Sequence, residues 1–106
     1  MIKVTLCEGC PLGRSGFGDS LAAALAEAGL AAQVSGTPCM SGCARESTIA
    51  FRSASKVAYL FGDLTVRDLD ALVTFARLYA ATPDGTFDDA RVLGDLRSKA
   101  LARIPG

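Results

Sequence analysis

Residues 1–10 read MIKVTLCEGC, and this stretch sets the pattern for the rest of the fold. Apolar and polar residues alternate through its first part, with β-branched side chains among them, which predicts a strand that ends at Cys7. The segment from there to Gly18 is rich in glycine and contains Pro11, so most of it is expected to be an irregular loop. A Cys-x2-Cys pair therefore lies where a strand ends and a loop begins.

The middle of the chain is predicted to contain a helix and further strands. Apolar residues recur at helical spacing from Phe17 to Ala28, with Ser15 as a plausible N-cap and Gly29 as the C-terminal stop. Strands are expected at residues 31–35, 48–52 and 56–61, and the last two form a hairpin. A second loop rich in glycine and proline separates the first of these strands from that hairpin.

The last third is predicted to be helical. Thr65 caps a segment whose apolar face runs to Tyr79, and Asp68 three residues after the cap resembles a capping box. A second, C-terminal helix is expected from Phe87 to Leu101. The order β-α-β-β-β-α with this additional helix predicts an α/β fold, a mixed sheet of thioredoxin-like layout. The length allows one domain, over residues 1–106.

Composition excludes several classes of function. Half of the residues are apolar and 21% are charged, which is typical of a globular chain and not of a disordered one. Eleven basic residues balance eleven acidic ones, so no nucleic-acid or anionic-membrane partner is expected. The chain has no histidine, which excludes histidine bases, Ser-His or Cys-His dyads and histidine metal ligands.

The cysteines are interpreted through the expected compartment. The apolar runs are far shorter than the ~20 residues that span a bilayer, and the first six residues lack the hydrophobic region of a secretory signal. A cytoplasmic location is therefore expected, where thiols stay reduced. Four cysteines in such a protein indicate metal binding or redox chemistry in preference to a disulfide framework.

All four cysteines fall in the two irregular loops, as Cys7-x2-Cys10 and Cys39-x3-Cys43. If the first two strands are parallel neighbours, both loops leave the same end of the sheet and the pairs face each other. Four soft thiolates select zinc or an iron–sulfur cluster over magnesium, calcium or manganese. The sequence therefore predicts a tetrathiolate site, and the spacing alone leaves zinc and iron–sulfur both open.

A thiol oxidoreductase that uses Cys7 and Cys10 is a further alternative, because the pair follows a strand and precedes a helix. Reactive cysteines of this kind acquire a low pKa at a helix N-terminus. The helix is not expected to begin before Ser15, which is too far from Cys7, and the second cysteine pair would have no role. This alternative ranks below the metal site.

The cysteine motifs, together with AYLFGDL at residues 58–64 and ARIP at residues 102–105, resemble a bacterial family of small proteins described as predicted metal-binding proteins. That family is related to the thioredoxin-like 2Fe–2S ferredoxins. The resemblance implies a thioredoxin-like fold with one 2Fe–2S cluster and with Cys7, Cys10, Cys39 and Cys43 as ligands. It also points to cobalamin metabolism, and thioredoxin-like ferredoxins tend to be homodimers.

The function expected from these observations is electron transfer and not enzymatic catalysis. The cluster would carry the chemistry, the partners would be redox proteins, and no residue is assigned a catalytic role. Asp68 and Asp70 are interpreted as first-turn acids of a helix, since residues two apart on a helix do not face each other. A zinc-binding structural or interaction module is the main alternative.

Overall fold

The computed structural model describes residues 1–38, 47–87 and 90–105. The strands in these ranges are β1 (Ile2–Cys7), β2 (Ala32–Thr37), β3 (Ile49–Arg52), β4 (Ala58–Phe61) and β5 (Ala100–Ile104). The α-helices are α1 (Pro11–Arg14), α2 (Phe17–Glu27) and α3 (Leu69–Ala81), and 3-10 helical segments cover Val66–Asp68 and Ala90–Lys99. No helix within the described ranges has the length and apolar character needed to cross a bilayer.

The strands form one mixed sheet in the order β2-β1-β3-β4-β5. β1 and β2 are parallel and in register from Ile2 opposite Ala32 to Cys7 opposite Thr37. β3 is antiparallel to β1, and β4 and β5 continue the antiparallel pairing. The predicted mixed α/β sheet, with a parallel β-α-β unit followed by an antiparallel hairpin, is confirmed.

The hydrophobic core lies between one face of the sheet and helices α2 and α3. Val4 lies opposite Phe51, and Phe51 lies opposite Tyr59, so these side chains share that face. The ring of Phe75 on α3 packs edge-on over them, with its centroid 4.9 Å from Phe51 and 5.1 Å from Tyr59. α2 contributes Phe17, Leu21 and Leu25 to the same cluster. Full burial of each such side chain stabilises the fold by about 1.5–3 kcal/mol.

Glycines set both ends of α2. Gly16, and not the predicted Ser15, is the N-cap residue, with φ of 84°. Gly29 follows the last helical turn with φ of 74°, as predicted for the C-terminal stop. Both values lie in the left-handed region, which glycine adopts without the steric cost that a Cβ brings.

The predicted capping box before α3 is confirmed. The Thr65 hydroxyl accepts a hydrogen bond from Arg67 N–H, and the Asp68 carboxylate accepts one from Thr65 N–H at 2.8 Å. Lys99 Nζ lies 2.7 Å from the same carboxylate. The capping residue therefore also joins the start of α3 to the C-terminal part of the chain.

The prediction of a C-terminal helix is wrong. Residues 90–99 form a 3-10 segment that Gly94 interrupts with φ of 58° and ψ of −134°, values that no helix contains. The chain then continues as β5, which pairs with β4 and places Ala102 opposite Leu60. Leu96 is fully buried, so part of the predicted apolar pattern does face the core.

Candidate metal centre

The loop that contains the first cysteine pair lies beside the end of β2. Cys7 is the last residue of β1 and pairs with Thr37, the last residue of β2. Glu8 N–H donates to the Thr37 carbonyl at 2.8 Å. A Cβ at Gly9 would lie 2.7 Å from the carbonyl oxygen of Pro38, so the close approach of these two segments requires glycine. The predicted departure of both cysteine loops from one end of the sheet is therefore confirmed as far as Pro38.

The chain returns to the same loop after residue 46. Leu12 N–H donates to Ser47 Oγ at 3.2 Å, and Cys7 N–H donates to the Thr48 carbonyl at 3.2 Å. Segment 39–46 is thus bounded on both sides by residues that contact the Cys7–Cys10 loop. Cys39 and Cys43, the other predicted ligands, lie in that segment, outside the described residues.

The sulfurs of the first pair lie close together in a buried position. The exposed fractions of Cys7 and Cys10 are 3% and 8%, and the Cys10 thiol donates to the Cys7 sulfur at 3.0 Å. This bond raises the pKa of Cys10, whereas hydrogen bonds from the backbone N–H groups of Ser47 and Thr48 act in the opposite direction. Within the described ranges there is no cluster of three or more His, Cys, Asp or Glu side chains.

The geometry of the pair fits two ligands of one metal. Two thiolates bound to a tetrahedral ion at about 2.3 Å lie about 3.8 Å apart, so the sulfurs of Cys7 and Cys10 need to separate by about 0.8 Å. Backbone N–H groups directed at a sulfur stabilise the thiolate form, which is the form that binds metal. A Cβ at Gly13 would collide with the Cys7 carbonyl oxygen, so glycine there lets the loop close over the pair.

The helix nearest to the pair begins earlier than predicted. α1 starts at Pro11, directly after Cys10, which is its N-cap residue with φ of −90° and ψ of 158°. The expectation that no helix begins before Ser15 is therefore wrong. Proline is well suited to the first helical position, because its N–H would have no intrahelical partner there. The argument that no helix begins near enough to lower the pKa of a redox-active Cys7–Cys10 pair is thus removed.

Two residues of the site were not recognised in the sequence as part of it. Ser47 has φ of 61°, which is uncommon for a residue with a side chain, and its carbonyl accepts from Leu64 N–H at 3.3 Å. Thr48 is fully buried, and its hydroxyl has no hydrogen-bond partner among the described residues. The signal that identifies them is the pairing of β3 with β1, which brings these residues to Cys7.

Comparison with known proteins identifies one family. A family model described as a protein of unknown function, DUF1636, matches residues 5–106, a range that contains all four cysteines. No curated protein and no solved structure matches the chain. The description of the family names no activity and no cofactor, so the relation to 2Fe–2S ferredoxins stays a prediction. Because the match covers nearly the whole chain, the protein belongs to the DUF1636 family.

Proposed function

We propose that this protein is a one-electron carrier that binds one 2Fe–2S cluster through Cys7, Cys10, Cys39 and Cys43. The observation that carries the proposal is that the first cysteine pair and the segments flanking the second pair meet at the end of β1. There the Cys7 and Cys10 sulfurs lie 3.0 Å apart in a buried position. The residues on either side of the second cysteine pair contact the same loop. Redox partner proteins and a cytoplasmic location belong to the same proposal.

The order of elements supports a thioredoxin-like layout for this carrier. β1, the helices that follow it, β2, the β3–β4 hairpin and α3 occur in the predicted order, and β1 is parallel to β2. β5 then extends the sheet beyond β4. In this layout Cys7 and Cys10 lie at the carboxyl end of β1, and the second cysteine pair follows β2 in the sequence.

The residues of this chain supply ligands and a hydrogen-bonded shell. When bound, a cluster of this kind accepts and releases a single electron. Cys7 and Cys10 would be two of its ligands, and hydrogen bonds from the N–H groups of Ser47 and Thr48 to the Cys10 sulfur favour negative charge there. Because the chain has no histidine, a Rieske-type site is excluded, and with four cysteine ligands we expect a midpoint potential below zero. A midpoint well above zero would contradict this assignment.

A thiol oxidoreductase is the second candidate, and one observation favours it. Cys10 caps a helix, and its sulfur lies 3.0 Å from that of Cys7, an arrangement from which a disulfide can form. The raised pKa of Cys10 and the burial of both sulfurs oppose it, because a reactive cysteine is an exposed thiolate. The electron carrier explains all four cysteines, and the thiol pair explains two of them.

Anaerobic purification tests the proposal, followed by a visible spectrum and by measurement of iron, zinc and acid-labile sulfide per chain. A red-brown protein with about two irons and two sulfides supports the electron carrier. A colourless protein with one zinc would identify a zinc-binding module instead. A metal-free protein, prepared so that cluster loss is excluded, with a disulfide that forms reversibly between Cys7 and Cys10 would favour the oxidoreductase.

A further inference from the structure

The hydroxyl of Thr48 is a buried polar group that has no hydrogen-bond partner in the described part of the molecule. The exposed fraction of this residue is 0%, and Oγ1 has no hydrogen-bond partner among the described residues. A buried donor of this kind destabilises the fold, because it has lost its bonds to water and gained none in return. A valine would fill the same space without that cost, so the hydroxyl requires an explanation.

The strand register places Thr48 beside the first predicted ligand. β1 and β3 are antiparallel and pair Leu6 with Ile49, so the next pair in the ladder is Cys7 with Thr48. The hydrogen bond from Cys7 N–H to the Thr48 carbonyl, at 3.2 Å, shows that the ladder continues to this pair. Directly opposite residues of an antiparallel pair point to the same face with Cβ atoms about 4.5–5.5 Å apart. The side chain of Thr48 therefore lies on the same face of the sheet as that of Cys7, at the neighbouring position on β3.

The sulfur at this position changes its hydrogen-bonding capacity when it binds metal. The Cys7 sulfur accepts the Cys10 thiol proton. Metal binding removes the thiol protons of both residues and leaves thiolates, which are strong acceptors. The Thr48 hydroxyl, which has no partner among the described residues, would then have a strong acceptor nearby.

We propose that the Thr48 hydroxyl is a hydrogen-bond donor to the sulfur of the metal-bound site, at the Cys7 thiolate or at the sulfide next to it, and that it raises the reduction potential. This inference rests on the proposed function. An added electron makes the sulfurs more negative, so a donor stabilises the reduced form more than the oxidised form. Thr48 thus raises the reduction potential of the carrier through a hydrogen bond to sulfur.

Two variants of the full chain test this role. Thr48→Val removes the hydroxyl and keeps the shape of the side chain, and Thr48→Ser keeps the hydroxyl. After the spectrum and the iron and sulfide content are measured for each protein, redox titration gives the midpoint potential. We expect Thr48→Val to lower the one-electron reduction constant about tenfold, or about 59 mV, and Thr48→Ser to stay close to the unmodified protein.

The metal-free proteins give an independent measurement. If the hydroxyl is unpaired before metal binding, metal-free Thr48→Val unfolds at a higher urea concentration than the unmodified protein. Unfolding of metal-free Thr48→Val at a lower urea concentration would show that the hydroxyl already has a structural partner and would overturn the inference. An unchanged potential in a cluster-loaded Thr48→Val would do the same while leaving the proposed function intact.

Cluster loading of the unmodified protein and of the two Thr48 variants also tests the inference. A colourless unmodified protein contradicts the proposed function, and the inference with it. If Thr48→Val fails to load while Thr48→Ser loads normally, the hydroxyl is needed to hold the cluster, which supports the donor role. If both variants fail to load, packing and not hydrogen bonding is what the site needs from Thr48, and the donor role is wrong.

Discussion

Cys7 is fixed on several sides by hydrogen bonds within the fold. Its N–H donates to Thr48, its carbonyl accepts from Cys10 N–H at 3.4 Å, and its sulfur accepts the Cys10 thiol. These bonds order the first ligand pair as part of the fold. The entropy lost on binding a metal is then smaller than for a pair in a disordered loop, which favours high metal affinity.

The cysteine pairs are expected to be equally necessary for metal binding. Cys10→Ser and Cys43→Ser should each lose most of the metal, because a serine hydroxyl is a poor ligand for a soft ion. Metal content per chain is the measurement, with circular dichroism to verify folding. Glu8→Gln is the matched control, since Glu8 lies in the same loop and is exposed. Full metal content in Cys43→Ser would refute the tetrathiolate site.

Gly13 is predicted to be required for the shape of the cysteine loop. In Gly13→Ala the new Cβ would collide with the Cys7 carbonyl oxygen and lie 2.9 Å from Glu8 Cα, and backbone atoms cannot move aside cheaply. We expect a loss of about 3 kcal/mol in the free energy of unfolding, together with a lower metal content. Urea unfolding of the metal-free protein measures the first effect.

Gly29→Ala is the control for that substitution. Gly29 has φ of 74°, and a Cβ added there would meet no atom within 4 Å, so only its backbone conformation is unfavourable for alanine. We expect a loss of about 1–2 kcal/mol with unchanged metal content. If Gly13→Ala behaved like Gly29→Ala in both measurements, the close packing of α1 on Cys7 would not matter to the site.

At the scale of elements, Asp68 connects two parts of the chain that are distant in sequence. Its carboxylate caps the start of α3 through Thr65 and forms an ion pair with Lys99 at 2.7 Å. Burial alone would raise the pKa of Asp68, but the hydrogen bonds from Lys99 and Thr65 outweigh it and lower the pKa. The charged form therefore stabilises the folded state.

Asp68→Asn is expected to lower the free energy of unfolding by about 1–2 kcal/mol at pH 7. Because the pKa of Asp68 is lower in the folded than in the unfolded chain, its stabilisation is complete above the unfolded value of about 3.9 and is lost as the pH falls through the folded value. The difference between the two proteins should therefore shrink below about pH 4. Urea unfolding at pH 7 and pH 3 measures it.

Asp70→Asn is the control for this prediction. Asp70 lies in the first turn of α3 but is exposed, so its replacement should change stability by at most about 0.5 kcal/mol. A difference between Asp68→Asn and the unmodified protein that stayed constant down to pH 3 would show that the carboxylate charge does not contribute.

The elements that could be predicted are those whose signals are local. The alternation that ends at Cys7 and the Thr65–Asp68 capping box each lie within a few residues, and both are confirmed. The C-terminal region could not be predicted in this way, because β5 exists through its pairing with β4, some 40 residues earlier in the chain. Its alanines and leucine favour helix by propensity, and tertiary pairing overrides that preference.

Over the whole molecule, the topology supports the prediction that both cysteine loops leave one edge of the sheet. β1 and β2 are parallel neighbours joined by a β-α-β crossover, so the loops after both strands begin at one edge of the sheet. The contribution of Ser47 and Thr48 depends instead on the exact register of β3 on β1. The alternation of Ile49 and Phe51 disfavours a one-residue shift, which would bury the wrong face, but a two-residue shift keeps both faces and would move Thr48 away from Cys7.

Metal binding at this edge should stabilise the entire sheet. The proposed site would join the end of β1, the segment after β2 and the start of β3, so a metal held there would bind the folded chain in preference to the unfolded one. With free metal at a thousand times the dissociation constant, the gain is about 4 kcal/mol. For a chain of 106 residues this corresponds to a rise of at least about 10 °C in Tm.

Thermal unfolding followed by circular dichroism, with and without a chelator, measures this effect. Cys10→Ser is the control, because a chain that cannot hold the metal should melt at the same temperature in both conditions. Equal melting temperatures with and without the chelator would contradict a metal site that joins these three segments of the chain. The Cys7–Cys10 pair would then act alone, as the thiol oxidoreductase requires.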